Sequence, residues 1–179
     1  MKHQNGKVEI HEYAVVEDFQ RIFQENMASL YLLALLLTGD HDKAEQCFIA
    51  GIEETVQANQ AFKVWAHKWA RRTIIQNAIR ALKPHPDAES ASLSATDSVC
   101  KRARTLIDSD LCHVLALDDF ERFVFVMSVL ERMSDLECGV LLGYSVEKVR
   151  EARAQALLQI AAAWVRHRET QMPACRVNR

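Results

Sequence analysis

The sequence predicts an all-α protein of two small helical domains joined by a polar linker, the second domain a helix-turn-helix. Three observations carry that expectation. Apolar residues recur at three- and four-residue spacing over long stretches, and no run alternates apolar with polar residues as a strand would. Only five glycines and three prolines occur in 179 residues, which suits long helices and few tight turns. Finally, Lys83-Pro84-His85-Pro86-Asp87 interrupts the periodic pattern, since each proline disfavours helix at the residue before it. The small, polar stretch Ala88 to Ser98 that follows reads as a flexible linker. The expected units are therefore 9–83, a linker at 84–98, and 99–165. With 49% of residues hydrophobic, the chain can bury a core.

Taken in order, Met1 to Val8 is polar and reads as a frayed end. From Glu9 or Val15 a helical pattern begins, with Phe19, Ile22, Phe23, Met27, Leu30 and Tyr31 on one face, and the apolar run continues to Leu37. Thr38-Gly39-Asp40 stops it, glycine being the usual residue just past a helix end. Asp40 or Asp42 can cap the next helix, in which Ala44, Cys47, Phe48 and Ile52 share a face. Glu53 to Gln60 is polar and leads into a basic helix over Phe62 to Lys83. Beyond the linker, Val99 to Leu117 is a mixed amphipathic stretch. Asp118 or Asp119 caps a helix from Phe120 to Glu131, with Phe123, Val126, Met127 and Leu130 inward. Ser134-Asp135-Leu136-Glu137 is a capping box that opens a short helix through Val140, Leu141 and Leu142. A turn at Gly143-Tyr144 leads to a longer helix starting near Ser145. That helix holds Val146, Val149, Ala152 and Ala156 inside and runs on to Leu157, Ile160 and Trp164. A short helix, a glycine-containing turn and a longer helix make the helix-turn-helix pattern.

The net charge of −2 conceals strong segregation. Phe62 to Lys83 carries Lys63, Lys68, Arg71, Arg72, Arg80 and Lys83 with no acidic residue. Residues 1–60 carry four basic and ten acidic residues, and residues 84–120 three and seven. Trp65 and Trp69 stand four apart in the basic stretch, which puts both rings on one helix face. With Val64, Thr73, Ile75 and Ile79 they extend an apolar stripe flanked by the cations. One reading is an amphipathic core helix with a solvated basic face. The other is a nucleic-acid surface, where Lys and Arg neutralise phosphate and an aromatic ring supports a base. The acidic flanks suit a basic groove on a partner, masking of the basic helix, or plain solvation.

Other chemistries find little purchase. Cys47, Cys100, Cys112, Cys138 and Cys175 form no CxxC pair, and Cys112-His113 lacks zinc-site spacing. Free thiols and the lack of a signal peptide predict a reduced, cytoplasmic chain. The longest apolar run, Leu30 to Leu37, is too short to cross a bilayer. There is no glycine-rich phosphate loop, nucleophile elbow or HExxH, and Glu53 and Glu54 point to different helix faces. No catalytic residue, metal or cofactor is expected.

Both halves resemble the bacterial RNA polymerase sigma factors of the extracytoplasmic-function group, in the same order. In that family a helix ends in a short Gly-Asp turn, an acidic stretch follows, and then a tryptophan-containing basic helix. The matching text is LALLLTGDHDKAEQCF (Leu33 to Phe48) and VWAHKWARRTIIQNAIR (Val64 to Arg80). The second half is similar to the family's domain that reads the upstream promoter element, over LDDFERFVFVMSVLERMSDLECGVLLGYSVEKVREARAQAL (Leu117 to Leu157). The resemblance implies a sigma-like transcription initiation factor, partnered by core RNA polymerase, promoter DNA and an anti-sigma protein. It implies polymerase contacts at Ala44, Glu45, Gln46 and Ile49. It implies DNA contacts at Lys63, Trp65, Lys68, Arg71, Arg72 and Arg80 in the first half, and at Lys148, Arg150 and Arg153 in the second. The chain departs from the family pattern in several places. Gln46, Ile49 and Ala50 thin out the carboxylates that would face polymerase, and Arg72 and Gln76 replace the family's usual Asn and Asp. Glu151, Ala152, Ala154, Gln155 and Leu157 make the reading helix poor in donors, and Glu151 would repel phosphate. These departures support an alternative: a divergent sigma-fold interaction protein without promoter recognition, binding polymerase, an anti-sigma partner or itself.

Overall fold

A helix that is apolar on every side has to be surrounded. The segment MASLYLLALLLT is such a helix, and the fold is built around it. In the computed structural model, which describes residues 13–57, 61–86 and 109–171, it forms α2, Met27–Thr38. Leu30, Leu33 and every residue from Ala34 to Thr38 are buried. Each fully buried leucine contributes about 2 kcal/mol of transfer free energy.

The architecture is all-α. Three helices pack with α2 in the first half: α1 (Val16–Glu25), α3 (His41–Gln57) and α4 (Ala66–Leu82), the last preceded by a 3-10 turn at Lys63–Trp65. The second half holds α5 (Ser109–Leu115), α6 (Asp119–Phe125), α7 (Asp135–Leu142) and α8 (Val146–Gln171). Among the described residues the only extended pairing is a single antiparallel bridge, Tyr13 to Phe62. The expected linker lies mostly outside the described residues, as do Met1 to Val8, Cys100 and Cys175. One buried cluster runs from Phe23 through α2 and α6 to Ala156, so α2 takes the second half on the side that α3 and α4 leave open.

Local chemistry sets most of the helix ends. Gly39 ends α2 in the left-handed conformation (φ 65°), its amide donating to the Leu35 carbonyl at 2.8 Å. Asp40 then caps α3 by accepting the Lys43 amide at 2.9 Å. Ser134 and Glu137 form the expected capping box: Ser134 Oγ accepts the Glu137 amide and the Glu137 carboxylate accepts the Ser134 amide. Ser145 Oγ accepts the Lys148 amide at the start of α8.

Four expectations are corrected. The first helix is broken at Asn26, whose side-chain amide donates to the Ile22 carbonyl at 2.9 Å and closes α1; Met27 is left exposed. The helix expected over Phe120 to Glu131 is α-helical only to Phe125. It widens to a π-helical turn over Val126–Leu130 and ends at a left-handed Arg132 (φ 55°), leaving Leu130 exposed. On α8, Val149, Ala152 and Ala156 are buried as expected and Ile160 still packs against the core, but Leu157 and Trp164 lie exposed. On α4, the buried face is Ala66, Ala70, Thr73, Ile74, Ile75, Asn77 and Ala78; of the tryptophan stripe Thr73 and Ile75 are buried, while Val64, Trp65 and Trp69 are exposed. The reason is close approach. A Cβ added to Gly51 of α3 would lie 2.5 Å from Ile74 Cδ1. Gly51 thus leaves room for Ile74, and the α3–α4 contact is taken by Ile74 rather than by the indole rings.

The joint between the halves contains a buried cation. Arg122 on α6 is 3% exposed. Its guanidinium donates to the Leu37 carbonyl at the C-terminal end of α2 (3.3 Å), to the Leu117 carbonyl (3.0 Å) and to Asp119 (2.5 Å). A cation at a helix C-terminus meets both the unpaired carbonyls and the negative end of the dipole. A side chain at Gly39 would come within 3.4 Å of this guanidinium, a second reason for glycine there. His85 meets Tyr144 edge-on with ring centroids 5.9 Å apart, adding an aromatic contact between the halves.

Candidate nucleic-acid interface

With α4 burying Ala66, Ala70 and Ile74, the sequence-nominated tryptophans stand at the surface. Trp65 is 60% exposed and Trp69 39%. Val64 beside them is also exposed. Trp65 belongs to the 3-10 turn, where it meets Phe62 edge-on at 5.5 Å, and Phe62 stacks on Tyr13 at 4.7 Å. Tyr13 and Phe62 therefore extend the aromatic surface, and sequence reasoning missed both. Their signal lies in tertiary structure: the Ala14 amide donates to the Ala61 carbonyl at 2.7 Å and clips the two segments side by side.

Around these rings stand the basic residues, three of them paired with acids from other elements of the fold. Lys63 Nζ lies 3.2 Å from Asp18 of α1, which also accepts from Arg21 at 2.7 Å. Asp18 is held below the usual carboxylate range, first by the Val15 amide it accepts and then by Lys63 and Arg21, against its own burial. Arg71 forms a two-pronged pair with Glu131, from the end of the π-helical turn, and donates to Ser29 Oγ of α2 at 3.0 Å. Arg80 pairs with Glu54 of α3 and donates to Asn77 Oδ1. Lys68 and Arg72 both help to lower the Glu137 carboxyl, although the Ser134 cap is the larger cause. The sequence-nominated cations of the first half are thus gathered on α4 and its leading turn, with Lys63, Arg71 and Arg80 ion-paired to acids of other elements.

The second candidate surface is the start of α8. Asp135, at the beginning of α7, accepts from Arg150 at 3.0 Å and from Arg153 at 2.5 Å. Its carboxyl is held low, first by Arg150. Lys148 lies 3.3 Å from Glu151 within the same helix.

Of the residues nominated for a protein partner, Glu45, Gln46 and Ile49 are exposed on α3. Ala44 is corrected: it is fully buried in the core and offers no side chain to a partner. Cys47 and Cys138 are buried, and burial raises both thiols, Cys138 to about 11. Among the described residues no three or more His, Cys, Asp or Glu side chains gather to hold a metal. No helix there is long and apolar enough to cross a membrane. Compared with models of known protein families and with curated proteins, the sequence matches none.

Proposed function

We propose that the chain is a sigma-like transcription initiation factor, a cytoplasmic protein that binds core RNA polymerase and directs it to promoter DNA by binding rather than catalysis. The observation that carries this reading is the exposure of Trp65 and Trp69 on the same surface as Lys63, Lys68 and Arg72. Exposed aromatic faces between cations suit a single strand, with bases stacking on rings and phosphates meeting Lys and Arg. Glu45, Gln46 and Ile49 on α3 supply the polymerase contact in this reading. Arg150, Arg153 and Lys148 at the start of α8 supply the duplex contact.

Two measurements test it. The purified protein should co-elute stoichiometrically with bacterial core RNA polymerase on size exclusion at moderate salt. The doubly substituted Trp65→Ala/Trp69→Ala protein should keep its helical circular dichroism and still co-elute, while the holoenzyme's affinity for a forked promoter fragment falls about tenfold or more. Absence of co-elution by a folded protein overturns the reading.

A second reading has one observation in its favour. Arg150 and Arg153 are both engaged by Asp135, so the helix that would read DNA offers little uncompensated charge. In this reading the chain is a divergent sigma-fold interaction protein, and alanine at Arg150 and Arg153 leaves the salt dependence of any DNA binding unchanged.

A further inference from the structure

The acids compensating the basic helix come from two sources. Asp18 and Glu54 belong to the same half as α4 and help to build it. Glu131 does not. It reaches α4 from the second half, sixty residues further along the chain. It does so because Arg122 seats α6 on the end of α2 and the π-helical turn carries the chain on from there. The Arg71–Glu131 pair is two-pronged and largely shielded, with side-chain exposures of 23% and 11%. An Arg–carboxylate fork of this kind satisfies the same donors that a phosphate would use.

We infer that Glu131 is an intramolecular competitor for the cationic face: with the second half docked on α2, its carboxylate occupies Arg71 where a nucleic-acid phosphate would bind. This rests on the reading of α4 as a nucleic-acid surface. Glu137, whose carboxyl feels Lys68 and Arg72, adds a second negative charge from the same half. The basic face is therefore weakened as a polyanion site while the halves are docked, and a partner that draws Glu131 away restores it. Affinity is scaled down to the fraction of molecules in which Arg71 is free.

The test is fluorescence anisotropy of the full chain with a labelled oligo-dT of about 20 nucleotides, long enough to cover one such groove. Glu131→Gln, nearly isosteric, should bind about tenfold more tightly than the unaltered protein. Glu147→Gln, which removes an exposed acid of the same half, should change binding by less than about twofold. A double-mutant cycle supplies the decisive arm. In an Arg71→Met background, Glu131→Gln should bring no gain. An unchanged affinity for Glu131→Gln overturns the inference, and so does an equal gain with or without Arg71, which would mark a general charge effect. Failure of the underlying reading looks different. If no form binds the oligonucleotide, or if Trp65→Ala and Arg72→Ala leave binding untouched, the nucleic-acid surface itself falls and the competitor role with it.

Discussion

The two cationic stretches of this protein are neutralised in different ways. On the basic helix α4 and its leading turn, ion-paired partners come from three distant places: Asp18 of α1, Glu54 of α3 and Glu131 of the second half. On α8 they are near neighbours: Arg150 and Arg153 share Asp135 of the adjoining helix, and Lys148 pairs with Glu151 one turn on. Distant pairs are set by tertiary structure and in turn help to fix it. The near pairs link adjoining or identical helices, and the more exposed of them, at Lys148 and Arg150, change little when broken. The basic helix is also flanked by exposed aromatic rings. Arg71 of the basic helix is thus part of the joint between the halves, whereas the cations at the start of α8 pair only within their own half, two with Asp135 and one with Glu151.

The comparison breaks most severely at Arg122, the cation on which the joint turns. Arg122→Ala leaves the Leu37 and Leu117 carbonyls and Asp119 without their donor and opens space in a packed region. The expected loss is about 3 kcal/mol of unfolding free energy, read by urea denaturation. An effect below about 1 kcal/mol would mean that the halves are held by apolar packing on α2 alone.

This division also explains what could be read from the sequence. The all-α class, the stop at Gly39 and the Ser134–Glu137 box were legible because each depends on residues within a few positions. The exposure of Trp65 and Trp69 was not. Two stripes on α4 have helical spacing, one of bulky rings and one of Ala66, Ala70, Ile74 and Ala78. Only the packing of α1, α2 and α3 around α4, with Gly51 admitting Ile74, decides that the small one is buried. Glu131 and Arg122 were invisible as interface residues for the same reason: nothing near them in sequence says that they will meet α4 and the end of α2. The sequence also suggested that the acidic stretches 1–60 and 84–120 could mask the basic helix. Asp18 and Glu54 come from the first of these, but Glu131 comes from neither.

A smaller effect is expected at the start of α7, where Asp135, the acid that restrains α8, is presented. Ser134→Ala removes half of the capping box and should cost about 1 kcal/mol at neutral pH. The pH dependence follows from Glu137. Its folded pKa is depressed, chiefly by the Ser134 amide and hydroxyl. Its contribution is therefore fully present above the ordinary glutamate range and is lost as the pH falls through the lower folded value. The unaltered protein should lose stability on acidification in that window. Ser134→Ala, with the hydroxyl gone, should lose less, so the two denaturation midpoints converge at low pH. A constant gap across the window would show that Glu137 takes no part in the cap.

The smallest effect belongs to Arg150. Its guanidinium is well exposed and its partner Asp135 keeps Arg153 at 2.5 Å. Arg150→Ala should therefore change stability by less than about 0.5 kcal/mol in thermal or urea unfolding. The same substitution separates the two functional readings. If α8 touches duplex DNA, losing one phosphate contact lowers the salt slope of promoter binding by about one. If Asp135 keeps the arginine permanently occupied, the slope stays where it was. Stability unaltered with the slope reduced would mean that an exposed pair gives up its arginine to phosphate, as weak surface pairing allows. That outcome would set Arg150 apart from the largely shielded Arg71–Glu131 pair, whose arginine is not given up so easily.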